Sequence, residues 1–272
     1  MSRRITVTLL GTSSARRSPR IGCFCAQCSE ARRHRTHRRF RSSMLLRGGR
    51  ESLLIDPGPD HLPQMRAFRA SRPEFRGLTG ILLTHLHFDH VAGLYDVRDL
   101  RRPAATPIWA PDDHHGRLRA AFWPRVGKAG SASRRKYVLH PLRTEEPVEI
   151  GPFTIRAYST SHTTSHTTVA YRIEAGRKAL LYAPDLAHLP KEAMKGVDRA
   201  FVDTAFWSRP AKGHAPATQT VRSCLAAGVE EVWLTHVGHL GVTRAELEAG
   251  AKRLGPVRVA HDGAEIAWDA AA

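Results

Sequence analysis

The chain has 272 residues, 42% of them hydrophobic, enough for a sizeable buried core, and carries a formal net charge of +17. No run approaches the ~20 consecutive apolar residues of a membrane span, so no membrane partner is expected. Four cysteines, with Cys23, Cys25 and Cys28 crowded together, exclude a disulfide framework and point to a reduced, cytoplasmic, metal-binding protein.

The first segment, "MSRRITVTLLG", is basic and then apolar, but its apolar residues alternate, so it reads as a strand and not as a leader. "RIGCFCAQCSEA" follows. Its C-x-C-x-x-C spacing suits thiolate ligation of zinc, yet a closed site needs four ligands, and Cys224 lies far down the chain. Between Ala15 and Arg41 stand nine arginines and one acid, Glu30. Such a field attracts anions, whether phosphate-bearing small molecules or nucleic acid; a solvated arginine-rich face is the plain alternative. Aromatic residues, at 7%, are not interleaved with the arginines, which disfavours a stacking platform for single strands.

"SSMLLRGGRESLLIDPG" predicts a hairpin through Gly48 and Gly49, and "LTGILLTH" a buried strand. Over residues 88–102, Val91, Leu94, Val97 and Leu100 share one side of a predicted helix. "TPIWAP" reads as a strand, and the basic region 111–146 as loops and short helices. Further on, "FTIRAYSTSH", "TTVAYRIEAG", "KALLYAPD", "RAFVDTA" and "EVWLTHVGH" read as strands. "PATQTVRSCLAAG" and "TRAELEAGAKRLG" read as helices, each stopped by a glycine. Strands and helices mix in both halves, as in one α/β domain built of two sheet-containing halves.

The strongest chemical signal is "LLTHLHFDHVAG". A buried strand runs into His85, His87, Asp89 and His90, four side chains of the kinds that zinc, manganese and iron accept. His85 and His87, two apart in an extended segment, can share a face, leaving Asp89 and His90 for a second ion nearby. Cys224, inside an amphipathic helix, reads as a buried small apolar residue, and the pair His114 and His115 as surface or satisfied core.

H-x-H-x-D-H after an apolar strand resembles the metallo-β-lactamase superfamily of hydrolases. The resemblance spans nearly the whole chain, with His162 after a mid-chain strand, Asp185 in "LLYAPD" and His236 in "VWLTH". It implies an αββα sandwich in which His85, His87 and His162 hold one divalent ion, Asp89, His90 and His236 a second, and Asp185 bridges. His166 in "SHTTSHTT" competes with His162, and a helix N-cap is the alternative role for Asp185. Two such ions, zinc or manganese ahead of iron, hold a hydroxide between them and neutralise phosphodiester oxygens.

The opening "LLGTSSARRSPRIGCFCAQC", with "CSEARR" and "LIDPG", is similar to the PhnP-like phosphoribosyl cyclic phosphodiesterases of the carbon–phosphorus lyase pathway. That resemblance implies a structural zinc held by Cys23, Cys25, Cys28 and His239, with a turn through Val237 and Gly238 making His239 face away from His236. It also implies one hydrolase domain over 1–272, a zinc-bearing loop over about 20–42, a small anionic diester as substrate, and a homodimer as an option. Asp89 and His214 are its catalytic residues, His214 as acid or phosphate contact, and Arg41, Arg209 and Lys212 are candidates for phosphate binding. Two other readings stay open. One is an endoribonuclease similar to the transfer-RNA 3′ processing enzymes, with nucleic acid as partner; the other is a PqqB-like accessory protein without activity.

Overall fold

The computed structural model describes residues 3–71, 77–97, 105–122, 126–127 and 137–270. The chain opens with β1 (Arg3–Gly11), then α1 (Ala26–Arg33), the hairpin β2 (Ser43–Gly48) and β3 (Glu51–Ile55), and α2 (His61–Ser71). After β4 (Gly80–Leu82) come α3 (Phe88–Val91), β5 (Thr106–Pro111), α4 (His114–Ala121), β6 (Val126–Gly127) and β7 (Tyr137–Leu142). The second half carries β8 (Pro147–Ile150), β9 (Phe153–Ser159), β10 (Val169–Ala175), β11 (Lys178–Ala183), α5 (Lys191–Met194) and β12 (Arg199–Asp203). It ends with α6 (Ala217–Ala226), β13 (Glu231–Thr235), α7 (Arg244–Lys252), β14 (Val257–Val259) and β15 (Glu265–Ala270).

These strands form two sheets, one ordered β15-β1-β2-β3-β4-β5-β7-β6 and the other β14-β13-β12-β11-β10-β9-β8. The period-two pattern explains why the sheets face each other. Ile5, Val7 and Leu9 of β1, Met44 and Leu46 of β2, and Leu53 and Ile55 of β3 turn into a core shared with Phe153, Ile155, Tyr171 and Tyr182. Their neighbours Leu10, Leu45 and Leu54 point the other way, into an outer core with Phe68 of α2 and Leu118 of α4. On the far side of the second sheet, Val221 and Cys224 of α6 and Leu247 and Ala251 of α7 pack on Val202, Val232 and Leu234. The result is the αββα layering that the resemblance implies.

Both sheets change from antiparallel to parallel pairing partway across. β3, β4 and β5 run parallel in the first, and β11, β12, β13 and β14 in the second. Loops that leave the carboxyl ends of these parallel strands therefore gather along one edge. Among the described residues no helix is long and apolar enough to cross a membrane.

Two sequence expectations change. The helix over 88–102 is instead α3 followed by a 3-10 turn over Ala92–Tyr95, and Leu100 lies outside the described residues. The cause is local: the Gly93 N–H donates to Pro57 O at 2.8 Å, and a Cβ there would stand 2.2 Å from Gly58 O. Region 111–146 is not only loops and short helices, since it contains β7, where Tyr137 and Leu139 are buried in the outer core. Most of "GKAGSASRRK" lies outside the described residues.

Candidate metal centre

Every predicted catalytic ligand lies at or just beyond a strand end on the shared edge. His85, His87, Asp89 and His90 follow β4; His162 follows β9, Asp185 follows β11 and His236 follows β13. The ligand-type atoms of His85, His87 and His162 lie within 4.8 Å of one another, as do those of Asp89, His90 and His236. Asp185 stands between the two sets. Its Oδ2 is 3.1 Å from His90 Nε2 and 3.4 Å from His236 Nε2, while Oδ1 is 3.6 Å from His162 Nε2. The helix-cap alternative for Asp185 falls away, because the N-cap of α5 is Pro190.

The outward ring nitrogens are already committed, which aims the inward ones. His90 Nδ1 is 2.9 Å from Asp56 Oδ2, His236 Nδ1 is 3.3 Å from Asp203 Oδ1, and His162 Nδ1 is 2.6 Å from Gly213 O. His85 Nδ1 meets the Thr84 hydroxyl at 3.0 Å, and that hydroxyl donates to Asp56 Oδ2 at 2.7 Å. Carboxylates and carbonyls in these positions are what fixes the tautomer of a metal-binding histidine. His85 Nε2, His236 Nε2 and Asp185 Oδ2 are buried and have no hydrogen-bond partner among the described residues. Buried polar atoms left in this way cost free energy unless something else binds them. A divalent cation fits that need.

Electrostatics agree. Burial alone would raise the Asp89 carboxyl, but the His90 and His236 imidazoles outweigh it and hold the group well below the usual carboxylate range. Asp185 is held low against its own burial by His236, His90 and His85. Burial would depress His236, yet Asp185, Asp203 and Asp89 raise it to about 10, and Asp89, Asp185 and Asp56 raise His90 likewise. The inward-facing carboxylates thus call for positive charge beside them. Two divalent cations would supply it with the histidines neutral, as ligation requires.

The two mid-chain histidines differ in geometry. His162 Nε2 stands 3.2 Å from His87 Nδ1, about the edge of a tetrahedron with ~2.05 Å metal–nitrogen bonds. His166 has both nitrogens engaged, Nε2 accepting the Leu86 N–H at 3.1 Å and Nδ1 meeting the Ser165 hydroxyl at 2.9 Å. Burial pushes His166 down to about 4, so it is neutral and braces the H-x-H segment from behind. His114 is fully buried against it; its Nε2 bonds Thr167 O at 2.7 Å, while its Nδ1 has no hydrogen-bond partner among the described residues.

The cysteine cluster closes as well. His239 Nε2 is 3.2 Å from the sulfurs of Cys23 and Cys25 and 3.4 Å from that of Cys28, and none of the cysteines is in a disulfide. Zn–S and Zn–N bonds of ~2.3 and ~2.05 Å at tetrahedral angles give ligand edges of about 3.5 Å, close to those observed. The turn that separates His236 from His239 differs in detail from expectation. His236 itself takes a positive φ of 50°, and Gly238 passes so near Ala205 O that a Cβ would stand 2.0 Å from it. His239 does not face fully away, since it also lines the cleft over the metal centre.

A cleft of about 1150 Å³ opens over the centre. Asp89, Asp185, His162 and His236 line its floor, His214, Phe206 and Trp207 one wall, and Arg20, Arg209 and Lys212 add positive charge. His214 is held by Asp203 Oδ2, 2.5 Å from its Nδ1, and its ring packs edge-on to His162. Arg41 is not in the cleft, being bound to Asp60 Oδ1 at 3.0 Å and to Ala15 O at 2.8 Å. Sequence reasoning missed Asp56 and Asp203, each a lone acid at the end of an apolar strand; that position, shared with Asp185, is the signal that could have found them.

The model of the "Beta-lactamase superfamily domain" family matches residues 51–237. A ribonuclease Z of Nocardia farcinica is 30% identical over 241 residues, covering 79% of this chain and 76% of its own. An octanoyltransferase of Porphyromonas gingivalis is 25% identical over 85% of this chain, which spans only 45% of that relative's length. Among solved structures, a diphosphatase from the PhnP family superposes with a TM-score of 0.82 at 25% identity, over 99% of each chain.

Proposed function

The chain belongs to the metallo-β-lactamase superfamily of metallo-hydrolases, close to its PhnP-like members, and from that premise we propose that it hydrolyses a small, cyclic phosphodiester. The observation that carries the reading is Asp185, one carboxylate set between two ligand triads on the floor of a cleft with cationic walls. On this reading His85, His87 and His162 would hold one divalent cation and Asp89, His90 and His236 the other. Asp185 would serve both, and Cys23, Cys25, Cys28 and His239 would hold a structural zinc, which suits a reducing, cytoplasmic setting. Such a pair of cations supplies charge neutralisation at phosphoryl oxygens and a water deprotonated near neutral pH.

The chain's own residues do the rest. Asp203 fixes the Nδ1 side of His214, so that a proton on Nε2 can be given to the leaving alkoxide. Asp89 lines the cleft and orients the attacking water, while Phe206 and Trp207 cover the organic part of the ester and limit solvent access. Arg209 and Lys212, on the loop that carries His214, favour an anionic substrate.

The test is to assay the metal-loaded protein on a chromogenic phosphodiester beside a β-lactam, a thioester and a precursor transfer RNA. Diester turnover, abolished by Asp89→Asn with the fold retained, is expected. Turnover of the thioester or lactam alone overturns the reading, and so does no turnover at all, which favours an accessory role. Cleavage of the RNA alone would instead support the endoribonuclease reading, which the +17 charge and the likeness to ribonuclease Z favour.

A further inference from the structure

The cysteine loop does more than tie the N-terminal segment to the C-terminal half. We infer that Arg20, carried on this loop, is a substrate-binding residue that grips the anionic group, and that the Cys23–Cys25–Cys28–His239 cluster serves to aim it. The inference deepens the diester reading of the same cleft and rests on it.

Both backbone groups of Arg20 are tied to the cluster segment. Its N–H donates to Cys28 Sγ at 3.3 Å, and its carbonyl accepts the Cys23 N–H at 3.4 Å and Arg32 Nη1 at 3.5 Å. Arg20 lines the cleft together with Asp89, Asp185 and His239. Three other arginines of the N-terminal segment are already committed: Arg17 and Arg41 to Asp60, Arg39 to Thr12 and Ala260 O. Arg20 makes no ion pair and no side-chain hydrogen bond among the described residues, and neither do Arg209 and Lys212. A planar guanidinium left free beside a cleft can take a phosphoryl group through two parallel hydrogen bonds.

The loop has little else to hold it. Ile21 is fully exposed and Phe24 is 83% exposed, so residues between Arg20 and Cys25 gain almost nothing from apolar burial. Their order comes from the sulfur cluster, from Gln27 bonded to Gly238 O at 3.0 Å, and from Arg32 stacked on the Phe24 ring. Loss of the cluster would free the segment, and Arg20 would lose its aim while the catalytic ligands kept theirs.

The experiment titrates inorganic phosphate into the metal-loaded parent protein and into Arg20→Ala and Arg20→Lys by calorimetry. Metal content, thermal midpoint, and the KM and kcat for bis(p-nitrophenyl) phosphate are read alongside. Arg20→Ala should weaken phosphate binding about tenfold and raise KM by a similar factor, with kcat within about twofold. Metal content and midpoint should not change, and Arg20→Lys should recover part of the affinity. Cys25→Ser should weaken phosphate binding as Arg20→Ala does, and the double variant should be no weaker than either. Equal phosphate affinity in the parent and Arg20→Ala overturns the inference, as does a loss in Arg20→Ala accompanied by lost metal or a lower midpoint, or parental affinity in Cys25→Ser. A parent that binds phosphate through Arg20 but cleaves no diester would leave this inference standing and the diester reading refuted.

Discussion

Asp203 Oδ2 lies 2.5 Å from His214 Nδ1, and its other oxygen lies 3.3 Å from His236 Nδ1. One buried carboxylate at the end of β12 thus orients a candidate acid and a candidate ligand together. Oδ1 also accepts the Ala205 N–H at 2.7 Å, a third contact that fixes the carboxylate. Two variants separate its tasks. His214→Ala should lower diester turnover by about 10²- to 10⁴-fold with metal content retained, because only the proton donor is lost. Asp203→Asn should lower turnover as well and weaken the ion at His236 by about 10- to 100-fold. Metal analysis by mass spectrometry beside steady-state kinetics checks both, and unchanged turnover in His214→Ala would remove it from the mechanism.

The cysteine site makes a simpler prediction. Cys25→Ser removes one of three thiolates within 3.4 Å of His239 Nε2 and should cost about one zinc per chain and a lower thermal midpoint. Cys224 is the internal control. Burial pushes its thiol up to about 12, so in the folded protein it should resist alkylation, and Cys224→Ser should leave zinc content unchanged. Full zinc in Cys25→Ser would show that the cluster does not ligate through that sulfur.

The legible parts of this molecule were those written in adjacent residues. His85, His87, Asp89 and His90 declare themselves because four ligand-type side chains follow one apolar strand, and alternation in β1, β2 and β3 marks two buried faces. Asp56 and Asp203 did not, because a single acid at a strand end gains meaning only from partners such as His90 and His236, 34 and 33 residues away. His239 is more than 200 residues from its cysteines, and resemblance found it where spacing could not. The segment after His90 is instructive in another way. Val91, Leu94 and Val97 are buried together as their spacing predicts, but Gly93 bonds back to Pro57 and breaks the helix. Periodicity reports which side chains face the core, and a long-range backbone contact decides the local conformation.

That contact region supports a third prediction. A Cβ on Gly58 would stand 2.0 Å from the Asp89 carbonyl oxygen, an approach with no flexible side chain to yield. Gly58→Ala should therefore displace the turn that carries Asp89 and His90 while leaving the sheets intact. We expect reduced occupancy of the ion assigned to Asp89, His90 and His236, a fall in turnover of tenfold or more, and unchanged far-ultraviolet circular dichroism. A variant with parental metal content and activity would mean that the turn has slack that the packing does not suggest.

The last prediction concerns pH and lies away from the metal centre. Asp262 accepts the Thr12 hydroxyl at 2.7 Å and the Phe40 N–H at 2.5 Å, close to buried Arg39, yet burial pushes its carboxyl up to about 7. Its ordinary value is 3.8, so the folded chain binds this proton more tightly than the unfolded chain. The stabilisation from that proton is complete below the unfolded value and disappears as pH rises through about 7. Asp262→Asn keeps the shape and removes the titration. With metals saturated throughout, the thermal midpoint of the parent relative to Asp262→Asn should fall between pH 6 and about pH 8.5 and level off above that range. A constant difference would mean that the two donors and the Arg39 charge hold Asp262 ionised across the range. If the buried Arg39 charge outweighs burial, the parent gains on the variant only below about pH 5, the opposite sign.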